Sequence, residues 1–184
     1  MTCIVGLVHE GEIYMGADSA GVGGNYSIST HIDPKVFVRD HMIFGYTSSF
    51  RLGQLIQYSL TIPFDNRRLG DSPMKYMVAD FIPALRHCLK DGGYATKINE
   101  EERMGVFLVG YKDQLYKIDC DYQVARYDTP YMATGCGEQI ALGSLYQTVH
   151  LAPHHRIQDA LQAAAFHNAA VRPPFTILKL GKDA

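Results

Sequence analysis

Hydrophobic periodicity switches only a few times along the 184 residues, and each switch joins whole groups of strands or helices. Short apolar runs with strand-like alternation fill the first quarter: residues 2–8 and Glu12 to Ala17 around the turn residues His9 to Gly11, an extendable stretch from Tyr26 to Ile32, then Lys35 to Arg39 and His41 to Tyr46 around Asp40. From Ser48 the apolar positions Phe50, Leu52, Leu55, Ile56 and Leu60 fall three or four apart. That spacing predicts an amphipathic helix capped by Ser48 or Ser49 and ended by Pro63. Phe64 to Asp71 is a charged, turn-rich loop, and Ser72-Pro73 restarts a helix that carries Tyr76, Met77, Phe81, Leu85 and Leu89 to Gly92. Lys97 to Arg103 is polar and is expected to be an exposed loop. Four strand-like runs follow, Val106 to Gly110, Gln114 to Ile118, Gln123 to Tyr127 and Tyr131 to Thr134, then Ala- and Leu-rich helices over Glu138 to Val149 and Ile157 to Ala170, and a closing strand over Phe175 to Leu180.

Strands, two helices, strands, two helices and a last strand give no βαβ alternation, which favours antiparallel sheets. Two antiparallel sheets packed face to face with helices on each outer side satisfy the order, and the expected fold is an α+β four-layer αββα sandwich. With 47% hydrophobic and 20% charged residues the chain can bury a sizeable core without a metal or disulfide staple, and residues 1–184 are expected to form a single domain.

A formal net charge of −2 with mixed signs leaves no electrostatic footprint for nucleic acid or an anionic membrane. Cys3, Cys88, Cys120 and Cys136 have no CxxC spacing, which points away from a zinc cage or disulfide framework and toward a reducing compartment. The N-terminal segment reaches His9 and Glu10 too soon for a secretory signal, and no apolar run approaches the length of a spanning helix. A cytoplasmic location is expected. His150, His154 and His155 lack an accompanying Cys or carboxylate, with Pro153 breaking any helical spacing, and Gly21 to Gly24 lacks the lysine of a phosphate loop. No metal or other cofactor is expected.

The informative position is Thr2. Removal of Met1 would leave its hydroxyl beside a free α-amine, whose ordinary pKa of about 7.7–8.0 lets it take up the hydroxyl proton near neutral pH. Asp18, at the end of the partner strand, can lie beside the start of the first strand, and Lys35 opens another strand after Asp33-Pro34. A lysine near the hydroxyl would stabilise the alkoxide, with the aspartate holding that lysine charged and oriented. Cys3 is a rival nucleophile by reactivity, but strand alternation turns it to the opposite face from Thr2 and into the core.

Four segments in order, MTCIVGLVHEGEIYMGADSAGV, PKVF, MIFGYTSS and ATGCGEQIALGSL, resemble the N-terminal nucleophile (Ntn) hydrolases of the proteasome β-subunit type, including the peptidase subunit of the bacterial two-component ATP-dependent protease. The resemblance implies a threonine-type peptidase with Thr2 as nucleophile, Asp18 as its acidic partner and Lys35 as the active-site lysine. It further implies that Ser48 stands where a glycine usually supplies the oxyanion-hole N–H, and that Phe50 lines the pocket for the residue preceding the cleaved bond. Cys136 aligns with a serine that hydrogen-bonds near the terminal amine, and a thiol is a weaker donor. The helix starting near Glu138 can offset part of that loss with its positive end. Asn168 stands nearest to an aspartate that supports this serine in the family. Stacked rings of identical subunits, a peptide or unfolded-protein substrate and an ATP-dependent unfoldase partner are also implied. Two alternatives stay open: a catalytically weak or inactive ring scaffold, suggested by Ser48, Cys136 and Asn168, and an Ntn amidase acting on a small amide.

Overall fold

The computed structural model describes residues 1–25, 27–66, 72–94, 96–98 and 100–182. Tyr26 and residues 67–71 of the Phe64 to Asp71 loop therefore lie outside the described residues. The strands of the first part are β1 (Cys3–His9), β2 (Glu12–Ala17), β3 (Ala20–Val22), β4 (Ile28–Thr30), β5 (Val36–Arg39) and β6 (Met42–Tyr46). Helices α1 (Phe50–Tyr58), α2 (Pro73–Tyr76) and α3 (Ile82–Asp91) come next, then β7 (Thr96–Ile98), β8 (Glu101–Arg103), β9 (Phe107–Tyr111), β10 (Gln114–Ile118), β11 (Val124–Ala125) and β12 (Tyr131–Gly135). Helices α4 (Glu138–Gln147) and α5 (Pro153–His167) precede β13 (Thr176–Leu180).

The fold is the four-layer sandwich. One sheet has the strand order β12-β1-β2-β13 and the other β11-β10-β9-β6-β5, with every neighbouring pair antiparallel. Strand β1 is buried on both faces, which explains why its sequence reads as a nearly continuous apolar run. Period-two alternation divides its side chains between two cores. Cys3, Val5 and Leu7 pack under α4 and α5 with Ala141, Leu145, Ile157 and Leu161, whereas Ile4 joins Met15, Val36, Ile43 and Leu108 between the sheets. The same parity sends Thr2 toward the space between the sheets. On the far side α1, α3 and the turn leading into α3 cover the five-stranded sheet through Leu52, Ile56, Leu85 and Phe81 against Phe44, Phe107 and Tyr116.

The helix starts follow their caps. The Ser49 hydroxyl accepts from the Arg51 N–H at 3.1 Å, so Ser49, not Ser48, caps α1, and Ser72 accepts from Met74 N at 3.2 Å with Pro73 in the first turn of α2. Helix α1 stops at Tyr58, before Pro63. Between α2 and α3, Met77–Phe81 forms a π-helical turn in which the Ile82 N–H reaches the Met77 carbonyl. Pro83 has no N–H to offer Ala79, and the wider turn carries the helix past that gap without breaking it.

Three sequence expectations are corrected. Lys97 to Arg103 is an exposed hairpin rather than a loop, with Thr96 opposite Arg103 and Ile98 opposite Glu101. Strand β11 is only Val124–Ala125, shorter than Gln123 to Tyr127. Helix α5 starts at Pro153, four residues before Ile157, because a proline in the first helical turn gives up an N–H that has no intrahelical partner there. Pro153 thus opens the helix that carries His154 and His155 instead of interrupting it. No helix among the described residues is long and apolar enough to cross a membrane.

Candidate active site

The antiparallel pairing of β1 with β2 sets Ile4 opposite Ala17, and the next residues outward bring Cys3 beside Asp18. Asp18 Oδ1 accepts from the Cys3 N–H at 3.0 Å, and the Asp18 N–H donates to the Cys3 carbonyl at 3.3 Å. The second carboxylate oxygen accepts from Ala20 N at 3.0 Å and from Arg172 N at 3.3 Å. Asp18 is therefore held by four donors, three of them backbone groups from separate segments.

The fourth donor is Lys35. Its ammonium donates to Asp18 Oδ1 at 2.9 Å, to Thr2 Oγ1 at 2.8 Å and to the Ala20 carbonyl at 2.7 Å. An ammonium has three protons, and all are used. Thr2, Asp18 and Lys35 are 3%, 2% and 1% exposed, so this ion pair is desolvated. Burial lowers the Lys35 pKa below its ordinary value and the Asp18 charge offsets part of that shift. A cation fixed 2.8 Å from a threonine hydroxyl stabilises the oxygen as it loses its proton.

The backbone of Thr2 is held by the 135–137 segment. Thr2 N donates to Cys136 Sγ at 3.3 Å, the thiol donates to Thr2 O at 3.4 Å, and Gly137 N at the start of α4 donates to the same carbonyl at 3.4 Å. Gly135 has φ +100°, and a Cβ there would lie 2.2 Å from Thr2 O, so only glycine lets this loop close on the N-terminal strand. Asn168, the C-cap of α5, donates from Nδ2 to the Cys136 carbonyl at 2.9 Å, and its Oδ1 lies 3.6 Å from the thiol while accepting from Ala170 N at 2.9 Å.

Ser48 and Phe50 border a cleft of about 100 Å³ against Thr2, which Val22, Lys35, Tyr46 and Met1 also line. Ser48 has φ +72°, a left-handed conformation that suits glycine, and its hydroxyl accepts from Val106 N at 3.3 Å on the neighbouring strand connection. The Thr2 hydroxyl donates to the Met1 carbonyl at 2.5 Å. Cys3 lies in the core under α5, and burial pushes its thiol pKa far up, so the residue is unsuited to nucleophilic attack.

Of the seven residues singled out in the sequence, Thr2, Lys35, Ser48 and Phe50 line the cleft, Asp18 and Cys136 lie behind it in contact with Lys35 and Thr2, and Asn168 is one step further out, bonded to Cys136. Sequence reasoning missed the Ala20 carbonyl and the Arg172 N–H, which complete the polar shells of Lys35 and Asp18. Ala20 sits in the same turn as Asp18 and was within reach of a local reading. The Arg172 N–H carries no side-chain signature at all.

The described geometry defines the proteasome β-type Ntn hydrolase fold: two antiparallel sheets between helices, with the start of β1 opening on a cleft between them. In particular, the chain is similar to the BPH of Thiobacillus denitrificans, whose structure in complex with epoxomicin superposes with a TM-score of 0.79 at 17% identity, covering 98% of this chain and 100% of that one. Eukaryotic HslV from Trypanosoma brucei matches with a TM-score of 0.67 at 12% identity over 97% and 98% of the two chains. Anbu, the ancestral beta-subunit from Yersinia bercovieri, matches with a TM-score of 0.68 at 14% identity over 97% of this chain and 81% of its own. No protein-family model and no curated protein matches the sequence.

Proposed function

We propose that residues 1–184 form one catalytic domain, a threonine-type peptidase whose nucleophile is Thr2 once Met1 has been removed. The observation that carries this reading is the buried triad in which Lys35 Nζ bridges Thr2 Oγ1 and Asp18 Oδ1. In the proposed reaction the Thr2 oxygen attacks the peptide carbonyl carbon and its proton passes to the α-amine of the same residue. Lys35 stabilises the oxygen as it is deprotonated, and the Ser48 N–H donates to the oxyanion. The protonated amine then delivers its proton to the departing peptide nitrogen, the C–N bond breaks, and an ester on Thr2 remains. Water, deprotonated by the amine, cleaves that ester and restores the hydroxyl.

The domain acts in a cytoplasmic ring of identical subunits on peptides or unfolded proteins, with an ATP-dependent unfoldase as a further partner. Exposed Tyr146, Val149 and Phe166 around α4 and α5 support the ring, since contact with another copy would cover them. Protein beginning at Thr2 is expected to cleave fluorogenic peptides and to gain the mass of epoxomicin, the compound bound in the BPH structure, with both signals lost in Thr2→Ala. Retention of Met1 in the native protein, or peptide cleavage unchanged in Thr2→Ala, would overturn the reading. A ring scaffold with weak or no catalysis is the second reading, favoured by the 3.3 Å contact of Thr2 N with the Cys136 sulfur, a longer and weaker hold than a hydroxyl would give the amine.

A further inference from the structure

We infer that the cavity at the opposite end of the sandwich from Thr2 binds a small zwitterion with an apolar side chain, an α-amino acid being the simplest; the inference stands apart from the peptidase reading. The cavity holds about 900 Å³, within the ~300–1,000 Å³ of ordinary ligand pockets. Its place follows from β1, whose seven residues carry the chain about 20 Å from Cys3 to the β1–β2 turn at its edge. A ligand there leaves the cleft beside Thr2 untouched.

Three two-residue hairpin turns frame the cavity, since His9 pairs with Glu12, Arg39 with Met42 and Tyr111 with Gln114. Glu10 and Gly11 have φ +50° and +78°, and Lys112 and Asp113 have +45° and +58°, the left-handed pairs of tight turns whose twist matches that of their strands. The four-stranded sheet thus supplies one side of the rim with Glu10, Gly11 and Lys182, and the five-stranded sheet supplies the other with His41, Lys112 and Asp113. Gly11 lets the Lys182 stem lie along its turn, because a Cβ there would come within 2.8 Å of Cε. The floor is apolar: Ile13 and Leu180 stand opposite each other on β2 and β13 and are 1% and 5% exposed.

Each side of the rim carries one carboxylate and one ammonium. A simple anion or a simple cation therefore meets a like charge on either side, whereas a zwitterion can meet its opposite on both. Lys112 is already engaged, with Nζ 2.9 Å from Asp65 Oδ2. The side chains of Glu10, Asp113 and Lys182 form no hydrogen bond or ion pair among the described residues. The His41 ring, 5.4 Å from that of Tyr111 between centroids, has a nitrogen, Nε2, that is shut off from solvent and has no hydrogen-bond partner among the described residues either. A buried polar atom in that state is unfavourable, and a rotation of the imidazole toward a ligand carboxylate relieves it. Glu10 and Asp113 then receive the ligand's amine, Lys182 and His41 its carboxylate, and Ile13 and Leu180 its side chain.

The test titrates the full chain with L-leucine, followed by calorimetry and through the His41 ring resonances. Binding should saturate with a dissociation constant of about 10 mM or less, the scale for a ligand of so few atoms. L-leucinamide, which lacks the carboxylate, and N-acetyl-L-leucine, which lacks the amine, should each bind about threefold or more weakly, as expected of exposed charge pairs. Glycine, which lacks the side chain, should bind about tenfold or more weakly. Lys182→Met should erase the difference between leucine and leucinamide, and Glu10→Gln combined with Asp113→Asn should erase that between leucine and N-acetyl-leucine. His41→Phe keeps the ring against Tyr111 and should weaken leucine about threefold. Thr2→Ala should bind leucine as the parent does. No saturation by about 10 mM leucine, glycine binding as tightly as leucine, an unchanged ratio in either charge variant, or loss of binding in Thr2→Ala would overturn the inference.

Discussion

Replacing Asp18 by Asn removes the carboxylate charge from the buried pair while keeping its shape, and the structure sets the size of the response. The Asn oxygen can still accept from Cys3 N and Lys35 Nζ, but its amide nitrogen then faces Ala20 N and Arg172 N, two donors that lose their acceptor. That part costs about 1–3 kcal/mol for each donor, at every pH. Lys35, 1% exposed, is left without a counter-charge, for which breaking a buried pair suggests about 3–5 kcal/mol. A ceiling exists because the folded chain can release the lysine proton instead. From the ordinary lysine value of 10.5 to pH 7 this release costs about 5 kcal/mol, at about 1.4 kcal/mol per pH unit. At pH 9.5 the same ceiling is only about 1.4 kcal/mol.

The sign follows from proton counts. Between the depressed folded pKa of Lys35 and its unfolded value the unfolded state binds more protons, so stability rises with pH, more steeply in Asp18→Asn than in the parent. Urea unfolding at pH 7 and 9.5, on protein that retains Met1 so that processing plays no part, should show a stability loss larger by about 2–3 kcal/mol at the lower pH. A loss that agrees at the two pH values to within about 0.5 kcal/mol would show that Lys35 is not confined with its charge as the structure has it.

Other outcomes are open to measurement. Lys35→Met should lower kcat/KM for peptide cleavage by about 10²-fold or more, and in the parent the alkaline limb of the pH–rate profile should fall below the ordinary lysine value of 10.5, as the direction of its pKa shift requires. Gly135→Ala should destabilise the protein by about 1–3 kcal/mol, read by thermal unfolding, because its Cβ meets Thr2 O in a backbone conformation alanine resists. Cys136→Ser should keep or raise peptidase activity by up to about tenfold and Cys136→Ala should lower it, the scale of one hydrogen bond of about 0.5–1.5 kcal/mol. Equal rates in the two Cys136 variants would show that its contact with Thr2 N plays no part in the reaction.

The sandwich was legible because β1, β6 and β9 are buried on both faces and read as short continuous apolar runs bounded by turn residues, and because the helices sit between groups of strands. The β7–β8 hairpin was not, since Thr96–Ile98 and Glu101–Arg103 are largely solvent-facing and lack the apolar alternation that marks a half-buried strand. The π-helical turn was hidden for the opposite reason: Tyr76, Met77, Phe81 and Leu85 keep a helical spacing that masks the local widening before Pro83. Within the site, Thr2, Asp18 and Lys35 stood out as chemistry-bearing residues at strand ends. His31 did not, because a polar residue after a short exposed strand signals nothing until the fold stacks it on Phe50. The left-handed backbone at Ser48 was equally silent, as serine gives no warning of a positive φ.

The Asp18 carboxylate also joins distant parts of the chain in time. Its donors include Arg172 N, 154 residues away, and the partner of Thr2 N is 134 residues away at Cys136. Contacts of such separation close late in folding and last of all on a ribosome, where the chain emerges from its N-terminus. A growing chain therefore carries Thr2, Asp18 and Lys35 long before it can align them, and their hydrogen-bonded cluster is complete only when the end of α5 and the residues beyond it dock. The order of synthesis thus acts as a timer on the assembly of this buried cluster.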